Sequence, residues 1–313
     1  MSPVKPFLAL FVVAALLACG QSAAAAVVEV NLNARPAMVN VAPGVKMRAW
    51  TFNGSVPGPV IRATEGDTVR VTLRNSHTAR KIKCPKRRGP KRTRCLKRNH
   101  HQQAMWHAVD FHAARIAPNL AFRNVAPGES FTFEFEADTP GVYMYHCATG
   151  PMLEHIGMGM HGMIVIDPQV PRPPAREIFL VQSEFYGKLK GGMLHPSYKA
   201  MQTTAPKFVT FNGRAMRYAQ RPIKVQAGEP IRIFFVDSGP SLFSAFHVVG
   251  TIFDSFEHDG IPSEAIQDVS TQTVAPGGGG VFELTLPEPG MYPFVSHSVI
   301  DMDRGAVGLF EAS

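Results

Sequence analysis

Four side chains with metal-binding chemistry fall within one stretch of the chain: His107, Cys147, His155 and Met160. Two imidazoles, a thiolate and a weak thioether form the donor set of a blue electron-transfer copper site. The last three follow one another as C-x7-H-x4-M, as one strand end and its loop, while His107 comes from a distant strand. A surface His155 or a core Met160 is common singly. All four in this order make that plain reading improbable.

A second set is interleaved with the first. His112 follows His107 by five residues, and His146 directly precedes Cys147. Odd separations on a strand put side chains on opposite faces. If His107 and Cys147 point into their domain, His112 and His146 point outward, where two imidazoles from neighbouring strands can share a second metal. His297, at the end of a later strand, is the natural third ligand. Three neutral imidazoles leave a position open for water or substrate. Asp110 shares the face of His112 by even spacing. His247 sits where a later repeat matches His107, and a ring titrating near neutrality suits proton relay. The plainer reading of His247 is a structural histidine held by a backbone hydrogen bond.

These residues need strands to hold them, and the chain repeats its strands. Thr51-Phe52-Asn53-Gly54 returns as Thr210-Phe211-Asn212-Gly213, Trp106-His107-Ala108-Val109 as Phe246-His247-Val248-Val249, and Ala126–Cys147 as Ala275–His297. Matched blocks in the same order argue for a duplicated β-domain. Apolar–polar alternation after a Gly-acid pair, in Glu65–Asn75 and Ala227–Gly239, reads as half-buried strands. The Pro-rich run Pro168–Ala175 separates the two units. The expected architecture is all-β: two tandem Greek-key β-sandwich or barrel domains, antiparallel, at residues 27–168 and 176–313 with a linker at 169–175.

Composition agrees. The 313 residues suit about two domains, and 45% apolar with 18% charged residues excludes wholesale disorder. The net charge of +8 is local: residues 80–98 carry eleven Lys/Arg and no acid, so the remainder is 8 − 11 = −3. A single basic segment gives no basic face on a nucleic-acid-reading element, so no nucleic-acid partner is expected. Lys5 followed by the apolar run Phe7–Ala18 reads as an export signal within residues 1–26. The run is short for a transmembrane span. Leu16-Leu17-Ala18-Cys19 also resembles a lipobox, which leaves lipid attachment through Cys19 as the alternative to free secretion into the periplasm or the exterior. In an oxidising compartment Cys84 and Cys95 can close a disulfide around the basic segment. His77, His100, His101, His195 and His258 have no partner at ligand spacing and read as surface or local structural groups. His161 reads as lying near the surface, and Trp50 and Trp106 read as core.

At the level of whole motifs, the chain resembles the copper-containing nitrite reductase family, a two-domain cupredoxin branch of the multicopper oxidases. The likeness runs from WTFNGSVPGPVIRATEGDTVRV to FVSHSVIDMDRGAVGLFEAS, and HAVDFHAA, YHCATGPMLEHIGMGMHGMIV, FHVVGTIFD and FVSHS carry it. It implies a type 1 copper at His107, Cys147, His155 and Met160, and a type 2 copper at His112, His146 and His297. It implies that Asp110 and His247 flank bound nitrite as proton donors. It implies a cupredoxin or cytochrome c as electron donor, and a homotrimer in which His297 acts on a neighbouring subunit's site. Val249 stands where the family often has Ile over the type 2 copper. Met158 shares parity with Met160, so the axial choice rests on the family motif. The basic segment is an insertion upstream of His107. Its expected form is a solvated loop, with donor docking, envelope attachment or anion steering as sharper uses.

Two other functions fit less well. A laccase-like oxidase of phenols or metal ions needs a three-copper cluster built from His-x-His motifs, and the chain has none. A copper shuttle needs the blue site alone and leaves His112, His146, His297 and Asp110 without a common purpose.

Overall fold

The computed structural model describes residues 25–77, 84–103 and 105–313, with residues 97–103 described by their backbone only. The segment read as an export signal, with Cys19, the start of the basic segment, and the side chains of His100 and His101 lie outside the described residues.

Two sheets enclose a first core. Strand Val27–Ala42 pairs antiparallel with Val45–Phe52 and parallel with Thr68–Asn75, which pairs in turn with Ser130–Glu136. The facing sheet runs Ile61–Thr64, His161–Asp167, Gly141–His146, Asp110–Phe111. Alternation sends Val69, Val71 and Leu73 inward from one strand to meet Phe111, Tyr145 and Ile164 from the other sheet. A second pair of sheets, built from strands between Arg176 and Ala312, encloses a core rich in aromatic rings. Phe246 is fully buried there, with its ring 4.7–6.3 Å from those of Phe211, Phe235, Phe253, Phe282 and Phe294. The protein is therefore all-β, with two tandem sandwiches.

The repeated Asn-Gly turns do the same work in both halves. Asn53 and Asn212 hold φ of 59° and 51°, a region that Asn tolerates. Each side chain then ties the turn to the middle of an earlier strand: Asn53 Oδ1 accepts from Asn33 N, and Asn212 Oδ1 accepts from Val181 N.

Three features depart from the sequence reading. The sandwiches are not purely antiparallel: Val27–Ala42 runs parallel to Thr68–Asn75, and Arg176–Phe185 parallel to Pro230–Asp237. In the first half, Ile61–Thr64 belongs to the facing sheet, so the chain leaves one sheet and returns to it. Second, the hairpin Gly187–Lys190 and Met193–Pro196 adds to the edge of the first half's sheet beside Val45–Phe52. Phe185 and Leu194 thereby pack on Val41, Met47 and Ala49. A second apolar contact joins Val142, Met144 and Met163 to Val181, Phe234 and Val281. Third, the basic segment runs into a helix, Pro90–Gln103. Its Lys, Arg and Gln residues are good helix formers, and Pro suits the first turn. A disulfide joins Cys84 to Cys95 within it. Among the described residues no helix is long and apolar enough to cross a membrane.

Candidate metal centres

The thiolate cluster assembles at one end of the first sandwich. His107 is held by a two-way backbone bridge to Val125, at 3.2 and 2.7 Å. Cys147 follows the strand Gly141–His146, and its N–H donates to Met160 O at 3.0 Å. The short helix Met152–Gly157 carries His155 back toward the strand end, and Met160 N donates to His155 O at 3.1 Å. The result puts Cys147 Sγ 3.2 Å from His155 Nδ1 and 3.7 Å from His107 Nδ1. All four residues are buried. Met160 belongs to the same packed core as Cys147, whereas Met158 packs with Tyr186 and Met201 in a separate cluster. Burial, with the neighbouring His155 and His77 rings, lowers the His107 pKa to about 2. That keeps the ring neutral, so it retains a lone pair for a metal. Burial pushes the Cys147 thiol up, while backbone donors at Ala108 and Thr149 oppose this. A soft thiolate between two neutral imidazoles, with a thioether in the same core, fits a copper ion.

On the other side of the strand lies an imidazole cluster. Asp110 pairs opposite His146, and His112 N donates to Met144 O at 3.0 Å. His112 Nδ1 lies 2.9 Å from Gly277 O, and His146 Nδ1 lies 3.1 Å from Cys147 O. A carbonyl only accepts, so both Nδ1 atoms carry the proton and both Nε2 atoms are bare. Those two bare nitrogens face each other at 3.1 Å. Neither can donate to the other; His112 is exposed, but His146 is buried, where an unmet acceptor costs about 1–3 kcal/mol. A cation between them relieves both, and this donor set suits copper or zinc. Outer nitrogens tied to carbonyls are the usual support of metal-binding histidines. Asp110 Oδ2 lies 3.9 Å from His146 Nε2. The expectation that His146 faces outward is corrected in part. It does face away from Cys147, but it is buried, on a strand paired with that of His161.

His297 does not join them. Asp110, His112 and His146 have ligand atoms within 4.8 Å of one another, and His297 is not in that group. It is exposed on the second sandwich, its ring 5.5 Å from that of His247. His247 Nδ1 lies 2.5 Å from Ser270 O and 3.3 Å from Thr271 Oγ1, so its Nδ1–H donates and Nε2 is left bare. Val249 is 43% exposed, two residues along the chain from His247. Phe243, Ile252, Val299 and Ile300, near these residues in sequence, are exposed too.

Several minor readings need correction. His161 is fully buried opposite His146, with its Nδ1 unpartnered among the described residues. Trp106 is exposed, and Trp50 is half-buried, standing edge-on to His77, His107 and His155. Of the two readings of His77, surface or local structural, the second holds: it is buried, and its ring lies nearly coplanar with that of His107. Burial, then the Arg48 charge, lowers its pKa to about 4. Thirty residues and the basic insertion separate the two histidines in sequence, so no spacing rule points to the pair.

Two multicopper oxidase family models match the chain, at residues 33–82 and 116–170. The chain is 35% identical to the copper-containing nitrite reductase of Neisseria meningitidis serogroup B over 90% of its own length and 67% of that protein. It is 36% identical to that of Neisseria gonorrhoeae over 85% of its own length and 63% of that protein. The chain thus spans about two thirds of the length of these relatives. Among solved structures, the copper nitrite reductase of Nitrosomonas europaea superposes with a TM-score of 0.78 at 33% identity, covering 92% of this chain and 94% of that one.

Proposed function

The chain belongs to the copper-containing nitrite reductase family of oxidoreductases, and from that premise we propose that it reduces nitrite by one electron. Nitrite, two protons and one electron give nitric oxide and water. The observation that carries this reading is the adjacency of His146 and Cys147, one in each donor cluster, on opposite faces of one strand end.

Copper, when bound, supplies a one-electron couple at the thiolate cluster and a Lewis-acidic position at the imidazole cluster. His107, Cys147, His155 and Met160 would hold a type 1 ion, and the packing of Met160 beside Cys147 supports it over Met158 as the axial donor. His112 and His146 would hold a type 2 ion, with His297 supplied by a neighbouring copy. The exposure of His297 and of the apolar side chains near it supports a site shared between copies in a homotrimer. Asp110, half-buried beside His146, delivers a proton from its carboxyl oxygen to the leaving oxygen of nitrite. His247, fixed at Nδ1 by Ser270 O, presents Nε2 as the second proton carrier. Val249 lines the substrate side.

In this reading two cupredoxin-like domains span 27–168 and 176–313, joined by residues 169–175. Residues 1–26 direct export to the periplasm or exterior, where a cupredoxin or cytochrome c delivers the electron. The test is anaerobic nitric oxide production from nitrite by copper-loaded protein with an artificial reductant. Production with about two coppers per chain is expected. A loaded protein that makes none overturns the reading.

A further inference from the structure

His77 ends up against a candidate copper donor for structural reasons that can be traced bond by bond. Its ring lies 8° from parallel to that of His107, with centroids 5.1 Å apart. Its Nδ1 sits 2.9 Å from His107 Nε2. The other His107 nitrogen, Nδ1, faces Cys147 Sγ. A neutral imidazole carries one proton. If His107 Nδ1 is to offer a lone pair beside the thiolate, Nε2 must hold that proton, and the acceptor in reach is His77 Nδ1.

One buried amide holds the two histidines in register. Asn75, fully buried, accepts from His77 N through Oδ1 at 2.9 Å. Its Nδ2 donates to Met105 O and Val125 O at 2.8 and 2.9 Å. Val125 in turn makes the two-way bridge to His107. The chain therefore leaves His77, runs through the basic insertion, and returns at His107 onto the same support. Trp50 closes the outside, its ring 5.6 and 6.0 Å from those of His77 and His107.

We propose that His77 is a positioning residue for the thiolate centre: it accepts the His107 Nε2–H, fixes that tautomer, and strengthens Nδ1 as a copper donor. An acceptor on the outer nitrogen raises the basicity of the ligating one. A more basic donor favours the oxidised ion, so His77 tightens copper(II) binding and lowers the reduction potential. This role rests on the reading of His107, Cys147, His155 and Met160 as a copper site.

The test compares His77→Phe with His77→Gln. Phe keeps a flat ring against His107 and removes the acceptor, whereas Gln keeps an acceptor oxygen. Copper(II) affinity is measured by titration against a competing chelator, and the potential of the thiolate centre by spectroelectrochemistry. His77→Phe is expected to lose about tenfold or more in affinity and to shift the potential upward, with His77→Gln close to the parent. The proposal is overturned if His77→Phe keeps both parent values, or if His77→Gln moves as far as His77→Phe. A parent chain with no thiolate-to-copper absorption instead overturns the copper reading itself, and this role with it.

Discussion

His112 and His146 meet nitrogen to nitrogen, Nε2 to Nε2 at 3.1 Å, while each holds its remaining ring proton against a carbonyl oxygen. Two bare acceptors in contact are a configuration that a protein keeps when a cation belongs between them. His146→Ala should therefore remove one metal without touching the other. Copper content should fall from about two to about one per chain, and the blue absorption of the Cys147 centre should persist. Elemental analysis with a visible spectrum decides it, and an unchanged copper content would refute the second site.

Asp110 stands beside that pair, its Oδ2 3.9 Å from His146 Nε2, and is read as a proton donor. Replacing Asp110 by Asn keeps the shape and removes the acid. Turnover of nitrite should fall by about 10²–10⁴-fold, the usual worth of a positioned general acid. Blue absorption and copper content should stay at parent values. Equal turnover in steady-state assays would show that protons come from elsewhere.

The separation of His297 from His112 and His146 within one chain predicts complementation. Chains carrying His112→Ala and chains carrying His297→Ala should each be inactive alone. Co-expressed, they should form mixed assemblies in which some interfaces hold His112 and His146 from one copy and His297 from another. Nitric oxide production should reappear in the mixture. Its absence, in mixed assemblies verified by mass, would place the third ligand elsewhere.

A buried acid in the second sandwich sets a pH dependence of stability. Burial raises the pKa of Asp237 well above its ordinary value, and only one of its carboxylate oxygens has a hydrogen-bond partner among the described residues. A folded pKa above the unfolded one means that the native state binds the extra proton. The stabilising contribution is therefore full below about pH 4, the ordinary Asp value, and is lost as pH rises through the folded pKa. Asp237→Asn should flatten this decline. Thermal melts of the two proteins across a pH series test it, and parallel curves would count against it.

The sequence alone carried the donor chemistry and the alternation that divides it. His146 and Cys147 are chain neighbours at a strand end, and the two-residue period of a strand points them to opposite faces. The doubled Thr-Phe-Asn-Gly turn likewise announced two copies of one sandwich, since each needs an Asn that accepts a left-handed backbone and bonds back to an earlier strand. What depends on contacts between distant segments was not written in local spacing. Met158 and Met160 share parity, and only packing separates them, one with Tyr186 and Met201 and the other with Cys147. Parity sends His146 away from Cys147, but only the tertiary structure buries it. His77 and His107 meet nitrogen to nitrogen because the buried Asn75 amide draws together two segments across an insertion whose composition reveals nothing of where its ends lie. Periodicity fixes which way a side chain points, but tertiary closure chooses what it meets.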